Sequence, residues 1–115
     1  MSKQILIAED ETISRKWLSD WLRRSGHYVS EAKDGAEALE LLDTQRFDLV
    51  LSDIRMPRVN GIAVIAHLRS ISPWVPFIIM SAYPSDADGI LGGTVITKPV
   101  LLEVLEAKIR SLFVH

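Results

Sequence analysis

The 115-residue chain has no cysteine. Disulfides and thiolate metal sites are therefore excluded, and the fold is indifferent to the redox state of its compartment. No apolar run approaches the ~18 residues of a membrane span, and the N-terminus lacks a signal-peptide layout. A cytoplasmic protein that does not enter a membrane is the expectation. Positive charge is not in excess either: 13 Lys and Arg against 15 Asp and Glu leave a formal net charge of −2. Phosphate backbones demand a basic footprint, so no nucleic-acid partner is expected. Internal repeats, low-complexity segments and linker-like shifts in composition are also missing. What is present is ordinary for a globular protein, with 48% hydrophobic and 24% charged residues. One domain over residues 1–115 is expected, burying roughly two-thirds of its unfolded surface.

Short apolar runs and helical spacings alternate along the chain. Gln4–Ala8 is continuously apolar after its first residue, as in a strand buried on both faces. Thr12 is placed to cap a helix with Ile13, Trp17, Leu18, Trp21 and Leu22 inward, ended by Ser25-Gly26. His27–Ala32 reads as a second strand, and Asp34-Gly35 opens a helix carrying Ala36, Ala38, Leu39 and Leu42. Leu49-Val50-Leu51 is a third strand, cut short by Met56-Pro57 and Asn60-Gly61. Asn60 would cap a helix with Ile62, Ile65, Ala66 and Leu68 inward, ending near Pro73. Pro76–Ser81 is a fourth strand and Thr94–Thr97 a fifth. A last helix places Leu102, Leu105, Ile109 and Leu112 on one face. Strands alternating with helices predict an α/β fold, a parallel sheet with helices on both faces. Every strand's C-terminal end then lies on one edge, where such sheets bind ligands.

That edge collects unusual side chains. Strand one ends at Glu9-Asp10, strand three at Asp53, strand four at Ser81 and strand five at Lys98. A carboxylate at the mouth of an apolar strand is costly unless charge or metal meets it. Three carboxylates so close raise one another's pKa, and a hard divalent cation with oxygen ligands resolves the conflict. Mg²⁺ suits a site with few protein ligands plus water and phosphate. Lys98 offers a point charge and Ser81 a hydroxyl for phosphoryl oxygens, while a carboxylate such as Asp53 can form an acyl-phosphate. Taken singly, Glu9-Asp10 fits the acidic first turn of a helix and Asp53 a turn residue. Together they read as one site.

These residues, in this order, resemble the receiver domain of two-component response regulators over essentially the whole chain. The family pattern has an acidic pair after strand one (Glu9-Asp10) and an aspartate followed by Met-Pro and Gly (Asp53, Met56-Pro57, Gly61). It continues with Ser or Thr and a small residue after strand four (Ser81-Ala82), then Lys-Pro after strand five (Lys98-Pro99). Residues 32–39 look like the family's entry to the second helix. The resemblance implies a flavodoxin-like, doubly wound five-stranded sheet of order 2-1-3-4-5 and a cis Lys98–Pro99 bond. It implies a phosphoacceptor rather than an enzyme: Asp53 takes a phosphoryl group from a phosphohistidine on a sensor histidine kinase or histidine phosphotransfer protein. Ser81 and Lys98 hold the transferred oxygens. Asp10, Asp53 and the backbone carbonyl of Arg55 ligate Mg²⁺, with Glu9 acting through water.

Two departures from the family stand out. The span from Ser81 to Lys98 is shorter than usual by more than a helical turn, and Ser85–Gly93 is rich in glycine, so the helix between strands four and five is expected to be short or missing. At Val95, where the family has Tyr or Phe, valine cannot make the usual inward swing. An alternative reading is therefore a degenerate receiver, an interaction module independent of phosphorylation. An aspartyl phosphatase is disfavoured, since Arg55 stands where a general acid is needed. Trp17 and Trp21 read as partly packed against the sheet, or as a docking surface for a histidine-bearing helix. Leu101 and Val104 lie off the last helix's main stripe and hint at a homodimer surface. His27, His67 and His115 share no spacing or acidic partner and are expected at the surface.

Overall fold

A computed structural model describes residues 2–87 and 93–113. The strands are β1 Gln4–Ala8, β2 Tyr28–Ala32, β3 Leu49–Asp53, β4 Phe77–Ser81 and β5 Thr94–Thr97. The helices are α1 Thr12–Arg24, α2 Gly35–Thr44, α3 Gly61–Ile71 and α4 Leu102–Phe113. All strand pairs are parallel, in the order β2-β1-β3-β4-β5. This is the doubly wound, flavodoxin-like sheet. Among the described residues the β4–β5 connection holds only a single 3-10 turn, Pro84–Ala87. The rest of the stretch expected to lack a stable helix, residues 88–92, lies outside the described residues, as does His115.

The central strands are apolar without alternation because helices cover both sides. Leu6, Ala8, Val50, Phe77 and Ile79 point to one face and pack with Ala38, Leu42, Val64, Ile65 and Leu68 of α2 and α3. Ile5, Ile7, Leu49, Leu51, Ile78 and Met80 point to the other and pack with Leu18 and Leu22 of α1 and Leu105 and Ile109 of α4. Each Val, Leu, Ile, Phe or Met side chain among them contributes about 1.5–3 kcal/mol when fully buried. The edge strands β2 and β5 are only partly covered. No helix among the described residues is long and apolar enough to cross a membrane.

Several local expectations change. Glu11, not Thr12, occupies the N-cap of α1, without a side-chain capping bond. Ile13 is 79% exposed and Trp17 49%, because the inward stripe of α1 is Leu18, Ser19 and Leu22. Trp21 alone of the two tryptophans packs against the core margin. In α3 the inward stripe is Gly61, Val64, Ile65 and Leu68, at spacings of three, one and three, which leaves Ile62 and Ala66 outside. Leu101 and Val104 are exposed. His67 has the acidic partner that its sequence context hides, Asp43, at 2.7 Å. Caps at α2 and α3 follow the sequence: Asp34 accepts from the Glu37 N–H at 2.8 Å and Asn60 from the Ala63 N–H at 3.0 Å. Gly26, with φ of 95°, closes α1 in the left-handed region.

The loop after β3 is folded back tightly. The Gly61 N–H donates to the Ile54 carbonyl at 2.8 Å, and a Cβ at Gly61 would overlap the Asp53 carbonyl oxygen. Gly35 likewise has no room for a Cβ beside the Val59 carbonyl. Arg58, with φ of 68°, is tied to Asp34 at 2.9 Å, so the loop is pinned to the start of α2. Gly61→Ala should therefore lower stability by about 1–3 kcal/mol in urea denaturation, the usual cost of overpacking. An unchanged midpoint would show that the loop yields without cost.

Candidate functional site

Register builds the site. Ala8 faces Ser52 across the β1–β3 pair, so the next residues, Glu9 and Asp53, share a row. Asp53 faces Met80 and Ser81 faces Thr97, which sets Ser81 and Lys98 one residue further out on β4 and after β5. The backbone joins the last two directly, with the Lys98 N–H donating to the Ser81 carbonyl at 2.8 Å. The Lys98–Pro99 bond is cis.

The side chains complete what the backbone arranges. Glu9, Asp10 and Asp53 each offer a carboxylate oxygen within 4.8 Å of the others. Glu9 is 1% exposed and Asp53 is also buried, whereas Asp10 is open to solvent. The Lys98 ammonium sits between the two buried acids, 2.8 Å from Glu9 Oε1 and 2.8 Å from Asp53 Oδ2. Burial, together with the neighbouring Asp53 carboxylate, pushes Glu9 up to about 8, against the pull of Lys98. Burial draws Lys98 the other way, but its bonds to Asp53 and Glu9 outweigh it and hold the ammonium above its ordinary value. The Arg15 guanidinium donates to the Glu9 carbonyl at 2.8 Å and steadies the turn that carries the acidic pair.

The donor set fits a hard divalent cation. Three carboxylates converge, all the ligand atoms are oxygen, and Glu9 Oε2 is buried without a hydrogen-bond partner. Lys98 neutralises one charge, which leaves the cluster short of positive charge. Arg55 follows within two residues of Asp53, and an open cleft of about 550 Å³ runs past Asp10, Arg55, Met56 and Asp86. A larger cavity, about 710 Å³, lies at the opposite end of the sheet between the C-terminal ends of α2 and α3 and touches none of these acids.

Of the six residues singled out from sequence, Glu9, Asp10, Asp53 and Lys98 come together side chain to side chain. Ser81 is adjacent through its backbone, but its hydroxyl donates to the Tyr83 carbonyl at 2.9 Å and accepts from the Tyr83 N–H at 3.0 Å. Arg55 carries its side chain away, to Asp86. Sequence reasoning missed Arg15, Asp86 and Tyr83. An arginine one turn into α1 gives a weak hint of the first; nothing in the sequence connects Asp86 to Arg55, 31 positions away.

Comparison with known proteins gives a consistent result. A family model described as "Response regulator receiver domain" matches residues 5–110. The Regulator of RpoS of Escherichia coli (strain K12) is 41% identical over 88 residues, 76% of this chain and 26% of that protein. Response regulator MprA of Mycobacterium ulcerans is 34% identical over 117 residues, 97% of this chain and 50% of that protein. The chain thus spans about a quarter to a half of the length of these relatives. Among solved structures, response regulator TrrA of Thermotoga maritima in complex with Mg²⁺-BeF superposes with a TM-score of 0.86 at 29% identity, covering 96% of this chain and 99% of that one. The receiver domain of the hybrid histidine kinase CckA gives 0.84, also at 29% identity, covering 96% and 99%.

The raised Glu9 makes a pH signature. An unfolded glutamate ionises near 4.5, while the folded one holds its proton up to about 8. Stability linked to Glu9 is therefore fully present below about pH 4.5 and is lost as pH rises through about 8. In a chelator-containing buffer Glu9→Gln should melt above the wild type at pH 8, with the difference shrinking toward about pH 4.5. Parallel melting profiles for the two proteins would contradict this account of Glu9.

Proposed function

The chain belongs to the family of response regulator receiver domains, and from that premise we propose that Asp53 accepts a phosphoryl group from a phosphohistidine of a sensor histidine kinase or histidine phosphotransfer protein. Residues 1–115 act as one receiver unit, a signalling module that assists its own phosphorylation and dephosphorylation. The observation that carries the reading is the Lys98 ammonium, 2.8 Å from both Asp53 Oδ2 and Glu9 Oε1 at the open edge of the sheet.

The chemistry is positioning and charge neutralisation. An Asp53 carboxylate oxygen attacks phosphorus, the P–N bond to the donor breaks, and its electron pair returns to the imidazole ring. Lys98 already neutralises Asp53 Oδ2 and is placed to follow the charge onto a phosphoryl oxygen as it arrives. Ser81 serves a second phosphoryl oxygen once its hydroxyl leaves Tyr83. Burial favours the neutral form of Glu9, which spares Asp53 part of the repulsion between them. Asp10, Asp53 and the Arg55 carbonyl, with Glu9 through water, would hold Mg²⁺, which supplies divalent charge to the phosphoryl oxygens.

The partner surface follows from α1. Trp17 and Ile13 are four residues apart on an exposed face of the helix that begins just after Asp10. They suit the apolar side of a histidine-bearing helix. The exposed Leu101 and Val104 leave a homodimer face open as a further partner surface.

A second reading keeps the fold and drops the chemistry, a receiver that binds partners without phosphorylation. It is favoured by Val95, 39% exposed on the edge strand with no aromatic to swing inward. One experiment separates the two. With Mg²⁺ and acetyl phosphate, intact-protein mass spectrometry should find a phosphoryl adduct that is absent in Asp53→Asn and abolished by EDTA. Lys98→Ala should slow its formation by roughly 10²-fold or more, as when an oxyanion partner is removed. No adduct on the wild type would favour the second reading. For the partner surface, Trp17→Ala should slow transfer from a phosphohistidine donor by roughly tenfold with little change in the urea midpoint; the reverse pattern would mean that Trp17 is a packing residue.

A further inference from the structure

The side chain of Arg55 leaves the acidic site and closes on the loop beyond β4. Its Nε donates to Asp86 Oδ2 at 2.7 Å and its Nη2 to Asp86 Oδ1 at 3.3 Å. The guanidinium also lies over the Tyr83 ring, 4.3 Å from the centroid. Asp86 belongs to the 3-10 turn, and its own N–H donates to the Tyr83 carbonyl at 2.9 Å. Tyr83 is thus gripped twice, on its ring by Arg55 and on its backbone by Asp86.

Tyr83 is also what holds Ser81. The Ser81 hydroxyl gives its only proton to the Tyr83 carbonyl and accepts the Tyr83 N–H in return. With the proton committed to its own loop, Ser81 cannot donate toward Asp53 until Tyr83 lets go. We infer that Arg55, Asp86 and Tyr83 form a clamp that parks the Ser81 hydroxyl away from Asp53, which makes Arg55 a positioning residue restraining phosphotransfer.

The inference rests on the reading of Asp53 as phosphoacceptor and adds a restraint to it. The strength of the clamp suits that role. The Arg55 side chain is largely exposed and that of Asp86 partly so. A solvent-exposed ion pair with an exposed cation–π contact shifts an equilibrium by roughly three- to tenfold. That biases a hydroxyl between two positions without locking it. The clamp joins the segment after Asp53 to the segment after Ser81, so charge arriving at one is felt at the other. Neither partner lies in the part of the connection nearest β5.

The test uses the full chain with Mg²⁺ and acetyl phosphate, following phosphoryl-protein by mass spectrometry. Asp86→Ala should raise the rate of phosphorylation about three- to tenfold, and amide exchange at Tyr83 should quicken in the unphosphorylated protein. Arg55→Lys keeps the charge and loses the two-point grip and ring stack, so it should fall between the two. In a Ser81→Ala background, Asp86→Ala should have no effect on rate, because the clamp acts through the hydroxyl. A general loosening of the loop would persist in that background and would overturn the inference, as would equal or slower rates in folded Asp86→Ala. A wild type that takes no phosphoryl group overturns the phosphoacceptor reading and the clamp's role together. A reactive wild type with unresponsive variants overturns the clamp alone.

Discussion

The structure depends on one electrostatic conflict, three carboxylates crowded at the end of a buried sheet with a single ammonium among them. Two of these acids are buried, and isolated ionised carboxylates in such surroundings are too costly to persist. Lys98 bridges Glu9 and Asp53 at 2.8 Å to each. Glu9 relieves the remaining strain by holding a proton well above the ordinary carboxylate range. The arrangement is stable only while two separate strand ends, β1 and β3, stay level and the residue after β5 reaches across to them. The parallel register of the sheet is what keeps them so.

Much of the surrounding architecture serves that alignment. The tight loop after Asp53 needs Gly61 where a side chain would strike the Asp53 carbonyl, and Gly35 where one would strike the Val59 carbonyl. Asp34 both caps α2 and holds Arg58 in its left-handed conformation. Arg15 ties α1 to the Glu9 carbonyl, and pairs with Glu31 of β2 at 3.5 Å. None of these contacts touches a reacting atom. Each removes a freedom that would let the carboxylates drift apart, which their mutual repulsion favours.

The sequence made the sheet legible because β1, β3 and β4 are buried on both faces and so are written as unbroken apolar runs, Ile5–Ala8, Leu49–Leu51 and Phe77–Met80. The acidic pair, Asp53 and Lys98 were legible for another reason: each alone fits a turn or a helix start, but charge after several such runs converges on one edge of the sheet. Helix faces were harder to read. Ile13, Trp17 and Ile62 have the helical spacing of core residues, yet exposed, while the small Ser19 and Gly61 are buried. Spacing identifies a stripe but not which of two adjacent stripes turns inward, and hydrophobicity misleads where a helix keeps apolar residues on an open face. The His67–Asp43 and Arg55–Asp86 pairs were illegible because each joins distant segments through exposed side chains that follow no periodicity. Position in the sequence places the Ser81 hydroxyl at the site, but position alone cannot tell where a rotatable proton is committed.

On the proposed reading, chemistry at Asp53 has to be connected to a surface that a partner can read. The usual link is an aromatic on the fifth strand, and here that position is Val95, facing solvent on the sheet edge. A valine has neither the reach nor the two alternative packings that such a link requires. Arg55 has both kinds of connection at one residue. Its backbone lies within two residues of Asp53, where the proposed cation and phosphoryl group would gather charge, and its side chain ends on Asp86 and Tyr83 beyond β4. On the proposed clamp, movement of the Asp53 loop biases the 3-10 turn through the guanidinium, and movement of Tyr83 changes what the Ser81 hydroxyl can do. Such a coupling would be reciprocal, as linkage requires: a partner that pulled on the turn would alter Asp53 by as much as phosphorylation of Asp53 altered the turn.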